Sequence, residues 1–466
     1  MSERTLLVRG GTIVSESAAM PGDLLIKGER VAARGAPGAF AAMAVDEVLD
    51  ASGKMVLPGL IDPHLHLNSP FMGTISLHDY ANGSRAAAYG GVTTIIDFST
   101  QPKGGSLIAA LAQKEEEARG RTLIDWSMSG IILDADEQTL AELPQLVKAG
   151  VPTYKCFTTY KQSGRLMDDD SLLHLLEATA RCGGMLMIHC EHDAIIEYRL
   201  QRELAAGHYA PIYHARTRPA VAENEAIRRI ITLMREVPAP VYIVHTSTAE
   251  SVPMIEKARL EGLPIHSETC THYLTLTEQM LEAPNGMFYI CSPPLRTQRD
   301  IDALWQGVAC GAIEVVSSDD AGVPSADRIR IGGDRFDKVP SGMPAIEPRL
   351  TILYTEGVRR GRITMSRLVA LTASNPARLF GLYPRKGHLA PGADADLVIF
   401  DPEVAWTMSA STLHMNTDFC PFEGWPVYGR PQTVICRGEY VICDDELVGK
   451  PGWGQRVFRQ LSLRWV

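Results

Sequence analysis

Apolar and polar positions follow two different schemes along this chain. Over residues 5–50, short apolar runs are separated by glycine turns, as in Thr5-Leu6-Leu7-Val8-Arg9-Gly10-Gly11 and Asp23-Leu24-Leu25-Ile26-Lys27-Gly28-Glu29. That pattern predicts short antiparallel strands. It returns after residue 385, in Ala395-Asp396-Leu397-Val398-Ile399-Phe400 and Gln432-Thr433-Val434-Ile435-Cys436-Arg437-Gly438. Between these ends, continuous apolar runs alternate with longer helix-like stretches. Strands are predicted at 54–62, 91–98, 123–132, 151–157, 185–190, 240–246, 264–270 and 312–320, and helices at 107–119, 170–181, 223–236, 249–260 and 299–310. Eight buried strands alternating with helices indicate an α/β fold, a TIM-like (β/α)₈ barrel. The expected organisation is a barrel over 54–384, with 1–53 and 385–466 forming one β-sandwich from both termini and a C-terminal tail.

Composition narrows the class. The 466 residues are 45% apolar and 21% charged, the proportions of a soluble globular protein. A net charge of −10 argues against nucleic-acid or anionic-membrane partners. No apolar run approaches the ~18 residues of a membrane span. Met1-Ser2-Glu3-Arg4 leads into no signal-like apolar segment. Nine cysteines lack CxxC spacing, and an odd number leaves one unpaired. Reduced thiols in a cytoplasmic protein are expected.

Candidate chemistry gathers at the predicted strand ends. His64 and His66 follow the apolar run Met55-Val56-Leu57-Pro58. Residues i and i+2 of a strand share a face, so both imidazoles can address one ion. Further strand ends carry Lys155, His189, His245 and Asp319. Barrel active sites lie on that rim. Lys155 stands apart, because an ammonium is costly to bury and has no acceptor for a metal. Either it snorkels to solvent, or its neutral amine adds carbon dioxide. The resulting carbamate would bridge two divalent ions, one held by His64, His66 and Asp319, the other by His189 and His245.

The chain resembles the dihydropyrimidinase and D-hydantoinase family of cyclic amidohydrolases. The resemblance spans essentially the whole sequence. It is carried by His64-Leu65-His66-Leu67-Asn68-Ser69-Pro70-Phe71-Met72-Gly73-Thr74, Asp97-Phe98-Ser99-Thr100-Gln101-Pro102, Tyr213-His214-Ala215-Arg216-Thr217-Arg218-Pro219, Glu268-Thr269-Cys270-Thr271-His272-Tyr273-Leu274 and Ser292-Pro293-Pro294-Leu295-Arg296. It implies a metal-dependent hydrolase barrel with two divalent ions, zinc by expectation, an N6-carboxylated Lys155 and a homotetramer. It implies hydrolysis of the cyclic amide bond of dihydropyrimidines or 5-monosubstituted hydantoins to N-carbamoyl amino acids. Allantoinase or cyclic-imide hydrolase chemistry is the alternative.

Asp319 is the expected proton carrier as well as a ligand. Tyr160, five residues beyond Lys155, matches the family's intermediate-stabilising tyrosine. Ser292 matches a residue whose backbone meets the cyclic imide. Ser341, Leu67 and Phe157 complete the expected substrate contacts. Two positions depart from the family pattern. Asp320 stands where histidine is usual, and Ser341-Gly342 where Asn-Gly is usual. Dihydroorotases place an arginine at the position of Asn68, and that carboxylate clamp is missing here. An uncharged ring is therefore expected.

Overall fold

The computed structural model describes residues 4–462. Met1–Glu3 of the expected N-terminal segment and 463–466 of the expected tail lie outside the described residues. Eight parallel strands follow one another in chain order: β1 (Leu60–Leu65), β2 (Val92–Thr100), β3 (Asp125–Ile131), β4 (Thr153–Phe157), β5 (Met185–His189), β6 (Val241–Ile243), β7 (Ile265–Cys270) and β8 (Val315–Ser317). A single parallel bridge from Leu65 to Asp320 brings the last strand region back to the first and nearly closes the barrel. Every residue of β1, β4 and β5 is buried, because helices cover the outside and side chains fill the inside. The five expected helices appear as Leu107–Ala118, Asp169–Cys182, Ala220–Glu236, Ser251–Leu260 and Gln298–Cys310. Ser106, Asp136 and Asp168 cap helix starts by accepting backbone N–H bonds three residues on. Such caps contribute about 1 kcal/mol each.

The second sheet has nine strands and draws on both ends of the chain. Its join is the antiparallel pairing of Met55–Pro58 with Leu397–Thr407, Leu397 opposite Pro58. Leu6, Leu24, Val56, Leu397, Ile399 and Ile435 share one buried cluster. The expected first barrel strand, 54–62, is therefore divided: Met55–Pro58 belongs to this second sheet and the barrel begins at Leu60. Gly59 marks the passage. A Cβ there would lie 2.1 Å from the Thr93 hydroxyl, so only glycine allows the crossing. Below the barrel, buried Lys386 reaches Asp125 at 2.8 Å and Asp396 at 2.6 Å, and Arg437 also meets Asp125. This ion network ties the start of β3 to the second sheet.

Candidate metal centre

Strands β1, β4 and β5, with the segments after β1, β6 and β8, carry six candidate ligands to one mouth of the barrel. His64 Nε2 and His66 Nε2 approach the same oxygen of Asp319, at 3.0 and 3.4 Å. The ligand atoms of these three residues all lie within 4.8 Å of one another. His189 Nδ1 and His245 Nε2 are 2.9 Å apart. Lys155 Nζ lies 2.7 Å from His64 Nε2. The His64 and His245 rings, centroids 5.6 Å apart, bring the two sets together. Phe98 makes the apolar wall: it stacks on His66 at 5.1 Å and lies 4.7 Å from the Lys155 amine.

The electrostatics suit a divalent ion. Burial pushes His66 down to about 4 and lowers His189, and it takes His245 well below the ordinary imidazole value. These three are neutral donors at neutral pH. Burial also lowers Lys155, which favours the nucleophilic free amine. For Asp319, burial is outweighed by His64, His66 and Lys155, and its carboxyl sits well below the usual range. Burial and Lys155 push His64 down, but Asp319 and Glu268 outweigh them and hold it at about 8. Imidazole nitrogens aimed at one another, and a buried His245 Nδ1 with no protein partner, are what a metal would relieve. The donor set of imidazoles and carboxylate fits zinc-like ions. Outer partners orient the ligands: Glu268 accepts from His64 Nδ1, and Glu191 from His189 Nε2 at 2.7 Å.

Backbone strain concentrates here. Among the described residues, eight non-glycine residues have positive φ, and five of them are Asn68, Met72, Tyr160, His245 and Asp319, all around this mouth. Such positions cost of order 1–3 kcal/mol each and persist where the surroundings enforce them.

Above the ligands opens a cavity of about 450 Å³. Tyr160, Phe157, Ser292 and Ser341 line it. Burial raises the pKa of Tyr160, so the phenol stays protonated. Leu67 does not reach the cavity. Its side chain is fully buried in the core and packs over Gly83 of the helix Tyr80–Tyr89. The alternation of β1 ends before it, so strand parity does not set its direction. Asn68 also turns away, its amide donating to Glu117 at 2.9 Å. The Asp320 carboxylate points away from the ligands. One oxygen meets His78 Nδ1 at 2.7 Å and the other accepts from Ala345 and Ile346 N–H at 2.8 and 3.2 Å.

Sequence reasoning assigned no role to several residues that matter here. Glu268 and Glu191 are carboxylates in otherwise buried runs, a readable signal, but their contacts were not. Arg218 pairs with Glu191 at 2.5 Å and lies over the Tyr160 ring at 5.2 Å. His272 lines the cavity with both ring nitrogens unpartnered. Arg165 lines it too, from a loop without periodicity.

Comparison with known proteins agrees with this geometry. The chain is 42% identical over 462 residues to a D-hydantoinase of Geobacillus stearothermophilus, covering 98% of this chain and 96% of that protein. It is 40% identical to a D-hydantoinase of Streptomyces coelicolor, covering 97% of each. The crystal structure of a dihydropyrimidinase from Brevibacillus agri superposes with a TM-score of 0.95 at 40% identity, covering 98% of this chain and 99% of that one. With the profile of the Amidohydrolase family matching residues 55–441, the chain belongs to that family.

Proposed function

We propose that the chain hydrolyses the cyclic amide bond of dihydropyrimidines or 5-monosubstituted hydantoins, giving N-carbamoyl amino acids. The observation that carries this reading is the meeting of two ligand sets beneath Tyr160 and Ser292 in one cavity. Relatives named D-hydantoinase and dihydropyrimidinase over nearly the full length support it.

Two divalent ions, zinc by the donor chemistry, would be held by His64, His66 and Asp319 on one side and His189 and His245 on the other, with carboxylated Lys155 between. When bound, they supply Lewis acidity and a water acid enough to ionise near neutral pH. The chain's own groups do the rest. Asp319, a carboxylate at neutral pH, takes the proton of the attacking water and delivers it to the ring nitrogen as the C–N bond breaks. The Tyr160 phenol donates to the developing oxyanion. Ser292 offers backbone contacts to the cyclic imide. Phe98 and the apolar cavity wall exclude water from the reacting atoms.

The test is a ring-opening assay of metal-loaded protein on dihydrouracil, 5-benzylhydantoin, allantoin, dihydroorotate and a simple cyclic imide. Highest kcat/KM on the first two is expected. Fastest turnover of allantoin or the imide would reassign the ring, and no ring opening at all would refute the reading. The protein is further proposed to act as a cytoplasmic homotetramer, a reading supported by family resemblance and by nine free cysteines. Light scattering should return a tetramer mass, and a concentration-independent monomer would overturn it.

A further inference from the structure

We infer that Arg165 fits this cavity to cyclic ureides whose ring substituent ends in a carboxylate, a narrower substrate class that rests on the ring-opening function proposed above. The loop between β4 and the helix Asp169–Cys182 places this residue. Tyr160, at φ 67°, turns the chain, and its carbonyl accepts from Ser163 and Arg165 N–H at 3.1 and 3.2 Å. Met167 N–H donates to Phe157 O at 2.9 Å, and Lys103 Nζ to Gly164 O at 3.2 Å. Arg165 is thereby fixed beside Tyr160. Its guanidinium lies 5.4 Å from the Phe157 ring centroid, and the Lys155 amine lies 5.6 Å from the same ring. One aromatic side chain thus adjoins both the cation and the ligand cluster, so an arm of a few carbons can join them.

Every other charged residue on the cavity wall already has a polar partner. Lys155 has His64, and Arg218 has Glu191. Asp193 accepts from Thr159 Oγ1 and Lys161 N–H, Glu197 from Gln162, and Asp337 from Arg335. Among the described residues lining the cavity, Arg165 alone brings a charged side chain with no hydrogen bond or ion pair. Burial lowers its pKa, the mark of an uncompensated cation. A planar fork of donors beside an apolar wall is the natural receptor for a carboxylate. Phe71, Ile196 and Phe336 offer surface for the methylenes of the arm. The Asp193 and Glu197 carboxylates on the same wall disfavour a doubly charged group such as phosphate. The sequence expectation of an uncharged substrate rested on the missing arginine at position 68. Arg165 brings a cation from a different loop.

The experiment measures kcat/KM of the metal-loaded wild type on racemic 5-(2-carboxyethyl)hydantoin, its carboxamide isostere and unsubstituted hydantoin. The carboxylate should exceed the carboxamide by about ten- to a hundredfold, the range for a hydrogen bond to a charged group. Arg165→Gln should bring that ratio close to unity, and Arg165→Lys should keep part of it. This comparison of isosteres in the wild type needs no variant to fold. If neither these hydantoins nor dihydrouracil is opened by the same preparation, the ring-opening reading fails and this inference with it; if dihydrouracil is opened and no hydantoin is, this inference alone is overturned. If hydantoin and the carboxamide are opened and the carboxylate is no better, or if Arg165→Gln keeps the ratio, this inference alone is overturned.

Discussion

Replacing Tyr160 by phenylalanine removes one oxygen and little else. The ring packs at 5.2 Å from His189 and 5.9 Å from Phe157, with the Arg218 guanidinium 5.2 Å above it, and none of these contacts uses the hydroxyl. The phenol is protonated across neutral pH because burial raises its pKa. Its proton is available for an oxyanion that forms only during the reaction. In the transition state the lost bond is to a developing negative charge, about 2.7–4 kcal/mol. That charge is absent from the ground state, so the loss falls on the barrier and kcat should drop about 10²–10³-fold while KM changes far less. Steady-state kinetics of wild type and Tyr160→Phe, at matched metal content, measure this. An unchanged kcat with a raised KM would refute the reasoning and return Tyr160 to substrate positioning.

Four further outcomes follow from the same geometry. Lys155→Ala should lose most bound metal and activity, with partial rescue by short carboxylic acids; two ions per chain with normal turnover, by metal analysis, would sink the bridging role. Glu268→Ala frees the His64 Nδ1–H and should weaken metal binding about 10–100-fold in chelator competition; unchanged affinity would dismiss it. Asp320→Ala leaves His78 and two backbone N–H groups unpaired in the core, a loss of about 3–5 kcal/mol by denaturant titration, with metal retained and KM raised; loss of metal would contradict this placement. Burial holds His66 and His272 at about 4 and His214 at about 3. Depressed imidazoles bind fewer protons folded than unfolded between those values and ~6.5. Stability of the metal-free protein should therefore fall as pH drops from about 6.5 towards 4, and a flat unfolding free energy from pH 7 to 5 would contradict it.

The strands were legible because a parallel barrel buries both faces, so each strand is a continuous apolar run. The same burial made the ligands legible, since a histidine or lysine inside or just beyond such a run stands out. Strand parity carried the reading as far as His64 and His66. One residue further, at Leu67, the alternation no longer applied and the expected substrate contact proved to be core. Asn68, at φ 44°, carries its side chain to Glu117 instead. The break at Gly59 was hidden for a related reason: 54–62 reads as one apolar run, and only the approach of Thr93 shows that two sheets share it. Arg165 sits in a loop fixed by backbone bonds, and no periodicity announces where it points.

Asp320 shows how a departure from a family pattern is absorbed. A histidine at 320 would leave His78 facing another imidazole and would offer the Ala345 and Ile346 N–H groups at most one acceptor. The carboxylate accepts from both, and its charge is met by His78, whose pKa Asp320 raises against the effect of burial. The backbone of Asp320 bridges to Leu65 on one side and Met343 on the other. Gly342, at φ 126°, lies so close that a Cβ would meet Ala321 O at 2.4 Å. The residue after Asp319 is thus a brace between the barrel seam and the 341–346 segment. The second departure, Ser341-Gly342, lies in that same segment and on the cavity wall. The two departures therefore belong to one structural unit, which joins the cavity wall at Ser341 while the Asp320 carboxylate is taken up by His78 and the 345–346 backbone.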